Sequence, residues 1–389
     1  MSERTLTEIL QGSGPWTTAY VDGTGELPRG EEEARHHAVR DQLIDEVGAP
    51  EDDAEAIETA LGERNGLPSP SARVVIARDG ETVLDRSFVG ARLGPERLEH
   101  GALPSILPLL RHTASETRYL VVETSRDGAD IRLETSGRGG SERETEIEGD
   151  TEEISKVRTG GLGDAKYQNW VENVWKQNQK DVASALSALI REERPAFVAV
   201  SGDVRARQLL AEELTGDERA LLVEVDANTR ADGSDRTALD QTIAREIDEH
   251  RRQEIADVRD RAAADDGAGG AEGFAAVIQA LQQARVDTLV LDGRLLDDER
   301  SLIALDGPPW VVTDVAQRLN TQVLGSIRAA EALARAAVLT DARVLIEDDE
   351  YAASDDRREE RPVREPLASL RWTDAGAANG TDAGTDAVG

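Results

Sequence analysis

The chain has 389 residues, of which 39% are hydrophobic, and its formal net charge is −33. This length and apolar content suffice for two or three folded domains, so wholesale disorder is excluded. The absence of cysteine excludes disulfides and thiol chemistry. No apolar run approaches the roughly 18 residues of a membrane span, so we expect a cytoplasmic protein without a membrane partner.

The acidic residues are spread over every segment, and Arg outnumbers Lys about ten to one. This pattern is typical of proteins from cells with molar internal salt, where dense carboxylates stay hydrated and ions screen their repulsion to about 3 Å. We therefore interpret the acidity as a halophilic adaptation, which does not argue against nucleic-acid binding.

The first 140 residues predict a mixed α/β domain, because strand-like runs alternate with turn residues and helical stretches. The helical stretches are 31–47 and 51–62. The predicted strands are Trp16–Val21, Arg73–Ile76, Val83–Phe88, Tyr119–Glu123 and Ala129–Leu133. A charged segment that contains glycine, about 136–155, predicts a linker to the next domain.

The lysines of the chain occupy one short window. They are Lys156, Lys166, Lys176 and Lys180, all within 25 residues. The same window holds Arg158 and only two acids, so it is locally positive in a strongly negative protein. Charge patterning of this kind needs a local reason, and we expect a cationic surface that contacts a polyanion.

A glycine-rich segment lies at the start of this window, at 157–163. Gly160 and Gly161 allow positive φ angles and a close approach of the backbone to a ligand. A flexible linker would have the same composition, so the segment alone is a weak signal. It is no P-loop, because no Gly-Lys-Ser/Thr sequence ends it.

Residues 164–190 predict one helix about 40 Å long, with Asp164 as its N-cap. At about 100° per residue, one face is apolar and is expected to be buried. Its residues are Tyr167, Val171, Val174, Val182, Ala185 and Leu189. The opposite face, which we call the basic stripe, consists of Lys166, Asn169, Trp170, Asn173, Lys176, Gln177 and Lys180.

The basic stripe has two interpretations. A solvated helix face is the simpler one, but solvated faces of this protein are acidic. Lysine and amide side chains beside an aromatic ring suit phosphates, 2′-hydroxyls and an exposed base. We therefore predict that the stripe binds RNA.

The middle domain is predicted to span 156–263 and a third domain 272–350, with a Gly/Ala/Asp hinge at Ala264–Ala271 between them. Alternating strands and helices in the third domain suit a three-layer α/β sandwich. The further elements of the middle domain are strand Phe197–Val200, helix Val204–Leu214, strand Ala220–Val225 and helix Asp235–Ala263. Those of the third are helix Gly273–Ala284, strands Thr288–Leu291 and Trp310–Val312, helix Leu324–Ala334 and strand Arg343–Ile346. Residues 351–389 predict a disordered acidic tail.

We expect no metal site and no cofactor. The five histidines lack the spacing of metal ligands, and we interpret the adjacent His36 and His37 as solvated. Ser201-Gly202-Asp203 follows a strand but lacks the glycine pattern of a nucleophile elbow. A helix N-cap at Asp203 explains this tripeptide better.

Gly-Gly followed at once by a long basic helix, a strand, a small-residue turn and another helix is an order with a known counterpart. Here it runs Gly160-Gly161-Leu162-Gly163-Asp164-Ala165-Lys166-Tyr167, then the helix, then FVAVSGDVRARQLLAEEL at Phe197–Leu214. It resembles the middle domain of the archaeo-eukaryotic class-1 peptide release factors. Within that superfamily it is most similar to the divergent branch with the Balon-type ribosome hibernation factors, next to the Vms/ankyrin-zinc-finger peptidyl-tRNA hydrolases. The resemblance implies an α/β (mixed α+β) fold of three release-factor-like domains.

Two departures from the family pattern shape the expected function. Release factors carry Gln after Gly-Gly to help place the hydrolytic water, but Leu162 stands here and cannot form a hydrogen bond through its side chain. Residues 1–140 also lack an NIKS-type stop-codon motif. The resemblance therefore implies occupation of the ribosomal A site for hibernation or rescue, without codon reading and without hydrolysis. The expected contacts to rRNA and P-site tRNA are Lys156, Arg158, Gly160, Gly161, Lys166, Trp170, Asn173, Lys176 and Lys180.

Two alternatives stay open. A peptidyl-tRNA hydrolase would use another polar group, with Gln168, one turn into the helix, as the nearest candidate. A non-ribosomal scaffold would bind protein partners through its acidic surfaces. In the resemblance, the third domain corresponds to the release-factor domain that docks a translational GTPase.

Overall fold

The computed structural model describes residues 6–12, 14–23, 28–114, 116–149, 164–227, 229–230, 234–264, 268–347 and 363–372, and only the backbone at 29 and 164–171. The chain forms two compact units, one of Met1–Ser115 with Gln253–Gly389 and one of Glu116–Arg252. Both combine helices with sheets, so the predicted mixed α/β class is confirmed. Within the described ranges, no helix is long and apolar enough to cross a membrane.

The amino-terminal part of the first unit is an antiparallel sheet between helices. Its strands are β1 Trp16–Asp22, β2 Ser71–Arg78, β3 Glu81–Val89 and β4 Arg97–Gly101, in the order β3-β2-β1-β4. The helices are α1 Leu6–Gln11, α2 Arg29–Asp45, α3 Glu51–Gly62 and α4 Leu107–Thr113. Because successive strand residues point to opposite faces, β1 packs Ala19 against α2 and α3 and Tyr20 against α1 and α4.

The second unit is a five-stranded mixed sheet. Its strands are β5 Arg118–Ser125, β6 Gly128–Thr135, β7 Ser141–Glu148, β8 Val198–Gly202 and β9 Leu222–Glu224, in the order β7-β6-β5-β8-β9. Strands β5, β8 and β9 are parallel, and β6 pairs antiparallel with β5 and β7. The helices are α5 Asp164–Glu193, α6 Val204–Glu213, α7 Gly216–Ala220 and the part of α8 Thr237–Ala263 up to Arg252.

Helices α5 and α8 lie on opposite faces of this sheet. Leu120 and Val122 of β5 pack in one core with α5, whereas Val121 packs in another with Leu239 and Ile243 of α8. The period-two alternation of β5 therefore divides its residues between two helices.

The carboxyl-terminal part of the first unit has two sheets. The strands β10 Gly270–Glu272, β11 Val286–Asp292, β15 Arg343–Glu347 and β16 Leu367–Leu370 form the order β10-β16-β11-β15. The strands β12 Ser301–Leu305, β13 Val311–Val312 and β14 Val323–Arg328 form the order β13-β12-β14. The helices are α9 Phe274–Gln282 and α10 Ala329–Leu339, with 3₁₀ turns at Gly293–Asp297 and Val315–Gln317. Leu333 of α10 lies in one core with Leu10 and Ile106 of the amino-terminal part, which explains why both parts form one unit.

The division into three domains stays a prediction, but its boundaries differ from those of the structure. The second unit begins at Glu116 and ends at Arg252, where the sequence suggested 156 and 263 for the middle domain and 140 for the end of the first. The reason is that β5, assigned to the first domain, pairs in parallel with β8, as Leu120 does with Val198. Such distant pairing leaves no local signal in the sequence.

Three segments have a structure other than the predicted one. The linker about 136–155 contains β7, which pairs with β6. The region predicted as helix Leu324–Ala334 is strand β14 followed by α10, because Arg328 ends the pairing with β12. The predicted disordered tail contains β16, whose short apolar run pairs with β10 and β11.

Candidate functional site

The predicted RNA-binding helix exists as α5, which runs over Asp164–Glu193. Val182 and Leu189 are buried in the core of the second unit, as predicted, while Val174 and Ala185 are half-buried. The side chains of Tyr167 and Val171 lie outside the described residues. Further buried residues of α5 that the apolar pattern did not include are Asn178, Gln179, Ala183, Leu186 and Ile190.

Two of these buried residues carry polar amides that meet the turn between β5 and β6. Gln179, which is fully buried, donates from Nε2 to the Ser125 carbonyl at 2.7 Å and accepts at Oε1 from the Thr124 hydroxyl at 3.1 Å. Asn178 donates from Nδ2 to the Arg126 carbonyl at 3.1 Å. Buried amides need such partners, so they hold α5 to this turn.

The side chain of Arg126 extends this contact. Its guanidinium lies over the Trp175 ring, 4.4 Å from the ring centroid, and pairs with Asp203 at 3.1 Å. Asp203 is the predicted N-cap, confirmed by the hydrogen bonds that it accepts from the Arg205 and Ala206 amides at the start of α6. Burial alone would raise the pKa of Asp203, but the hydrogen bonds from Arg126 and from these amides outweigh burial and lower the pKa.

The part of the basic stripe whose side chains are described faces solvent. Asn173, Lys176, Gln177 and Lys180 are all exposed. The two lysines are about 6 Å apart along the helix axis. Within the described part of the chain neither has an ion-pair partner, and Glu172, one turn before Lys176, pairs with Arg205 of α6.

The other predicted contacts cannot be placed beside these residues. Lys156, Arg158, Gly160 and Gly161 lie outside the described residues, as does Leu162. Lys166, Gln168 and Trp170 lie in the first turns of α5, where only the backbone is described. Their roles therefore stay predictions.

Sequence reasoning missed the contact between Arg126 and Trp175. Trp175 lies on α5 between the two predicted faces, so helical periodicity gave it no role. Arg126 belongs to a turn about fifty residues earlier, and its four-residue context Ser-Arg-Asp-Gly indicates only a turn. No signal in the sequence joins the two residues.

The described residues of α5 provide a cationic surface. Within the described ranges, no group of His, Cys, Asp and Glu could hold a metal ion. Two exposed ammonium groups, with the exposed amides of Asn173 and Gln177 near them, can bind phosphates and other hydrogen-bonding groups of a polyanion. They cannot by themselves carry out a hydrolysis.

A known family model matches a region that includes most of the second unit. Residues 118–268 match the model of bacterial archaeo-eukaryotic release factor family 2. An uncharacterized protein of Mycobacterium tuberculosis is 26% identical over 366 residues, which cover 91% of this chain and 94% of that protein.

Among solved structures, Pelota of Archaeoglobus fulgidus is 13% identical, with 77% of this chain and 80% of Pelota covered and a TM-score of 0.36. Dom34 of S. cerevisiae, a translation termination-like factor, is 11% identical, with 78% and 80% covered and a TM-score of 0.38. The family match covers residues 118–268, which include the whole of α5, so this part of the chain belongs to the archaeo-eukaryotic release factor superfamily.

Proposed function

We propose that this protein binds the ribosome in the manner of a release factor and occupies the A site for hibernation or rescue, without reading codons. The single observation that carries the proposal is the exposed pair Lys176 and Lys180, without an ion-pair partner within the described part of a chain whose net charge is −33. The chain has lysine only in this window. The polyanion that release factors of this superfamily contact is rRNA.

The proposal excludes hydrolysis through the Gly-Gly loop. Leu162 follows Gly160-Gly161 where release factors have Gln, and its side chain cannot position a water. The protein would therefore act by occlusion, and the branch with Balon-type hibernation factors is the one that this role favours.

Charge reversal on α5 tests the proposal. Lys176→Glu with Lys180→Glu is expected to abolish co-sedimentation with ribosomes, because two phosphate contacts become repulsions. Arg245→Glu with Arg252→Glu on α8 makes the same change in charge in the same unit, at side chains that are 62% and 58% exposed, and should sediment like the wild type.

The outcomes separate the candidate functions. Unchanged sedimentation of the lysine variant, with thermal unfolding like that of the wild type, would remove the RNA contact from α5. Equal loss of co-sedimentation in both variants would mean that net charge, rather than the basic stripe, governs ribosome binding. Turnover of peptidyl-tRNA by the purified protein, lost in Gln168→Ala, would replace occlusion by hydrolysis.

A further inference from the structure

The two buried amides of α5 interrupt an otherwise exposed stretch of the helix. Gln177 and Lys180 are exposed, while Asn178 and Gln179 between them are 3% and 0% exposed. From residue 172 to 177, the described side chains are exposed or half-buried. In the described part of α5, the amide pair is thus the buried contact nearest to Lys176 and to the helix start.

The turn that receives these amides is itself firmly held. Gly128 ends the turn at φ 145°, and a Cβ there would lie 1.9 Å from the Ile147 carbonyl oxygen of β7. A Cβ on Gly149 would lie 2.4 Å from Cγ of Asn178. Only glycine permits these two approaches, so the backbone at the end of β7 packs closely against the turn and against the Asn178 amide.

Hydrogen bonds and apolar contacts constrain a helix differently. Val182 and Leu186 are buried by non-directional packing, which a small rotation of the helix alters little. The bonds of Gln179 are directional, and a slip of one residue would turn the helix by about 100° and leave its amide buried without partners. The amides therefore fix the rotation and the axial position of α5 against the sheet.

This constraint also determines the position of the distant helix start. From Gln179 back to Asp164 the helix extends about 20 Å, so a tilt of about 10° at the amides would move its start by about 4 Å. A one-residue slip would also turn Lys176 and Lys180 away from their present direction.

We infer that Asn178 and Gln179 are positioning residues for RNA binding, which aim Lys176 and Lys180 of α5 at their target. The inference rests on the proposed function, because it acts through Lys176 and Lys180. It assigns a functional role to two side chains that touch no RNA.

A double-mutant cycle tests the inference. Gln179→Leu keeps the volume of the side chain but removes its amide, and Lys176→Ala with Lys180→Ala removes the contact through which the amide would act. Affinity for ribosomes purified from the host cells is measured for each variant and for their combination, at a salt concentration at which all of them bind. We expect Gln179→Leu to weaken binding at least tenfold when the lysines are present and less than twofold when they are absent.

A matched variant separates positioning from stability. Val182→Ala removes a fully buried apolar group one turn along the same helix and should destabilise the unit while binding within twofold of the wild type. If Val182→Ala weakened binding as much as Gln179→Leu, loss of stability would explain both and the inference would be overturned. If Gln179→Leu does not fold, Thr124→Val can take its place, because it removes the hydroxyl that donates to Oε1 of Gln179. This variant is expected to weaken binding about threefold, again only with the lysines present.

The remaining outcomes distinguish the inference from the proposed function. Equal weakening by Gln179→Leu in both backgrounds would overturn the inference and leave ribosome binding through the lysines intact. If Lys176→Ala with Lys180→Ala bound ribosomes with wild-type affinity, the proposed function would be overturned instead.

Discussion

The two faces of the five-stranded sheet hold their helices by different chemistry. On the α5 face, neutral amides such as that of Gln179 bond to the turn between β5 and β6. On the α8 face, the carboxylate of Glu123, 3% exposed, accepts hydrogen bonds from Arg132 and, at 3.3 Å, from Arg236 just before α8. The first arrangement needs no charge, whereas the second depends on it.

The surface charges follow the same division. On α8, Arg252 pairs with Glu249 at 2.7 Å, so positive charge is neutralised along the helix itself. On α5, Lys176 and Lys180 have no such partner within the described part of the chain. The difference is that Arg252 of α8 is paired within its own helix, whereas Lys176 and Lys180 of α5 stay available for the polyanion of the proposed function.

The largest expected effect is the loss of the buried charge on the α8 face. Glu123→Gln should lower the free energy of unfolding by about 3 kcal/mol at pH 7, because Arg132 and Arg236 both lose a buried charge partner and Arg132 keeps only Glu134. Urea denaturation measures this loss. Gln179→Leu on the other face is the matched change in a neutral network, with an expected loss of about 1 to 3 kcal/mol.

The pH dependence separates the two faces. Burial alone would raise the pKa of Glu123, but hydrogen bonds from Thr229 and Arg132 and the charges of Arg132 and Arg236 outweigh it and lower the pKa. Its contribution to stability is therefore complete above the unfolded-state pKa of about 4.3 and is lost as the pH falls through the lower folded-state value. The difference between wild type and Glu123→Gln should shrink at pH 3, whereas that for Gln179→Leu should not. A loss for Glu123→Gln that stays constant down to pH 3 would contradict this account.

The next largest effect is expected when the lysines of α5 are given ion-pair partners within the helix, as Arg252 has on α8. Asn173→Glu with Gln177→Glu places an acid three residues before each lysine, where the side chains are neighbours on a helix. Ribosome binding should weaken at least about tenfold although both lysines remain, since two phosphate contacts lose their free cation. The free energy of unfolding should change by no more than about 0.5 kcal/mol per pair.

The alanine versions of the same positions control for the lost amides. Asn173→Ala with Gln177→Ala should weaken binding by no more than about threefold, since only hydrogen bonds are removed. Equal weakening by the glutamate and alanine pairs would mean that the amides, rather than free lysines, carry the contact.

The sequence predicted the features of α5 that repeat with the period of a helix. The 3.6-residue repeat of α5 gave the burial of Val182 and Leu189 and the exposure of Lys176 and Lys180, because a helix turns its residues to fixed sides. The same reasoning did not predict that Asn178 and Gln179 are buried. Their partners lie in a turn about fifty residues earlier, and no local pattern contains that distance.

Strands with few apolar residues were missed for a different reason. In β7 only one face meets the core, and Ile147 is its one apolar residue, so the segment was predicted to be a linker. Strand β16 is four residues long and lies in a polar tail, yet it pairs on both sides. In both cases the partner strands supply the stabilisation, which the segment's own composition does not indicate.

The smallest expected effects distinguish a free cation from a paired one. Lys176→Ala on α5 and Arg252→Ala on α8 should each change the free energy of unfolding by less than about 0.5 kcal/mol, because exposed charges contribute little to folding. Their effects on ribosome binding should differ. Lys176→Ala should reduce the slope of log affinity against log salt concentration by about 0.7 to 0.9, the contribution of one phosphate contact, whereas Arg252→Ala should leave that slope unchanged. Because net charge changes equally in both variants, the same reduction in each would show that long-range charge governs binding, and the distinction between the two faces would then have no functional meaning.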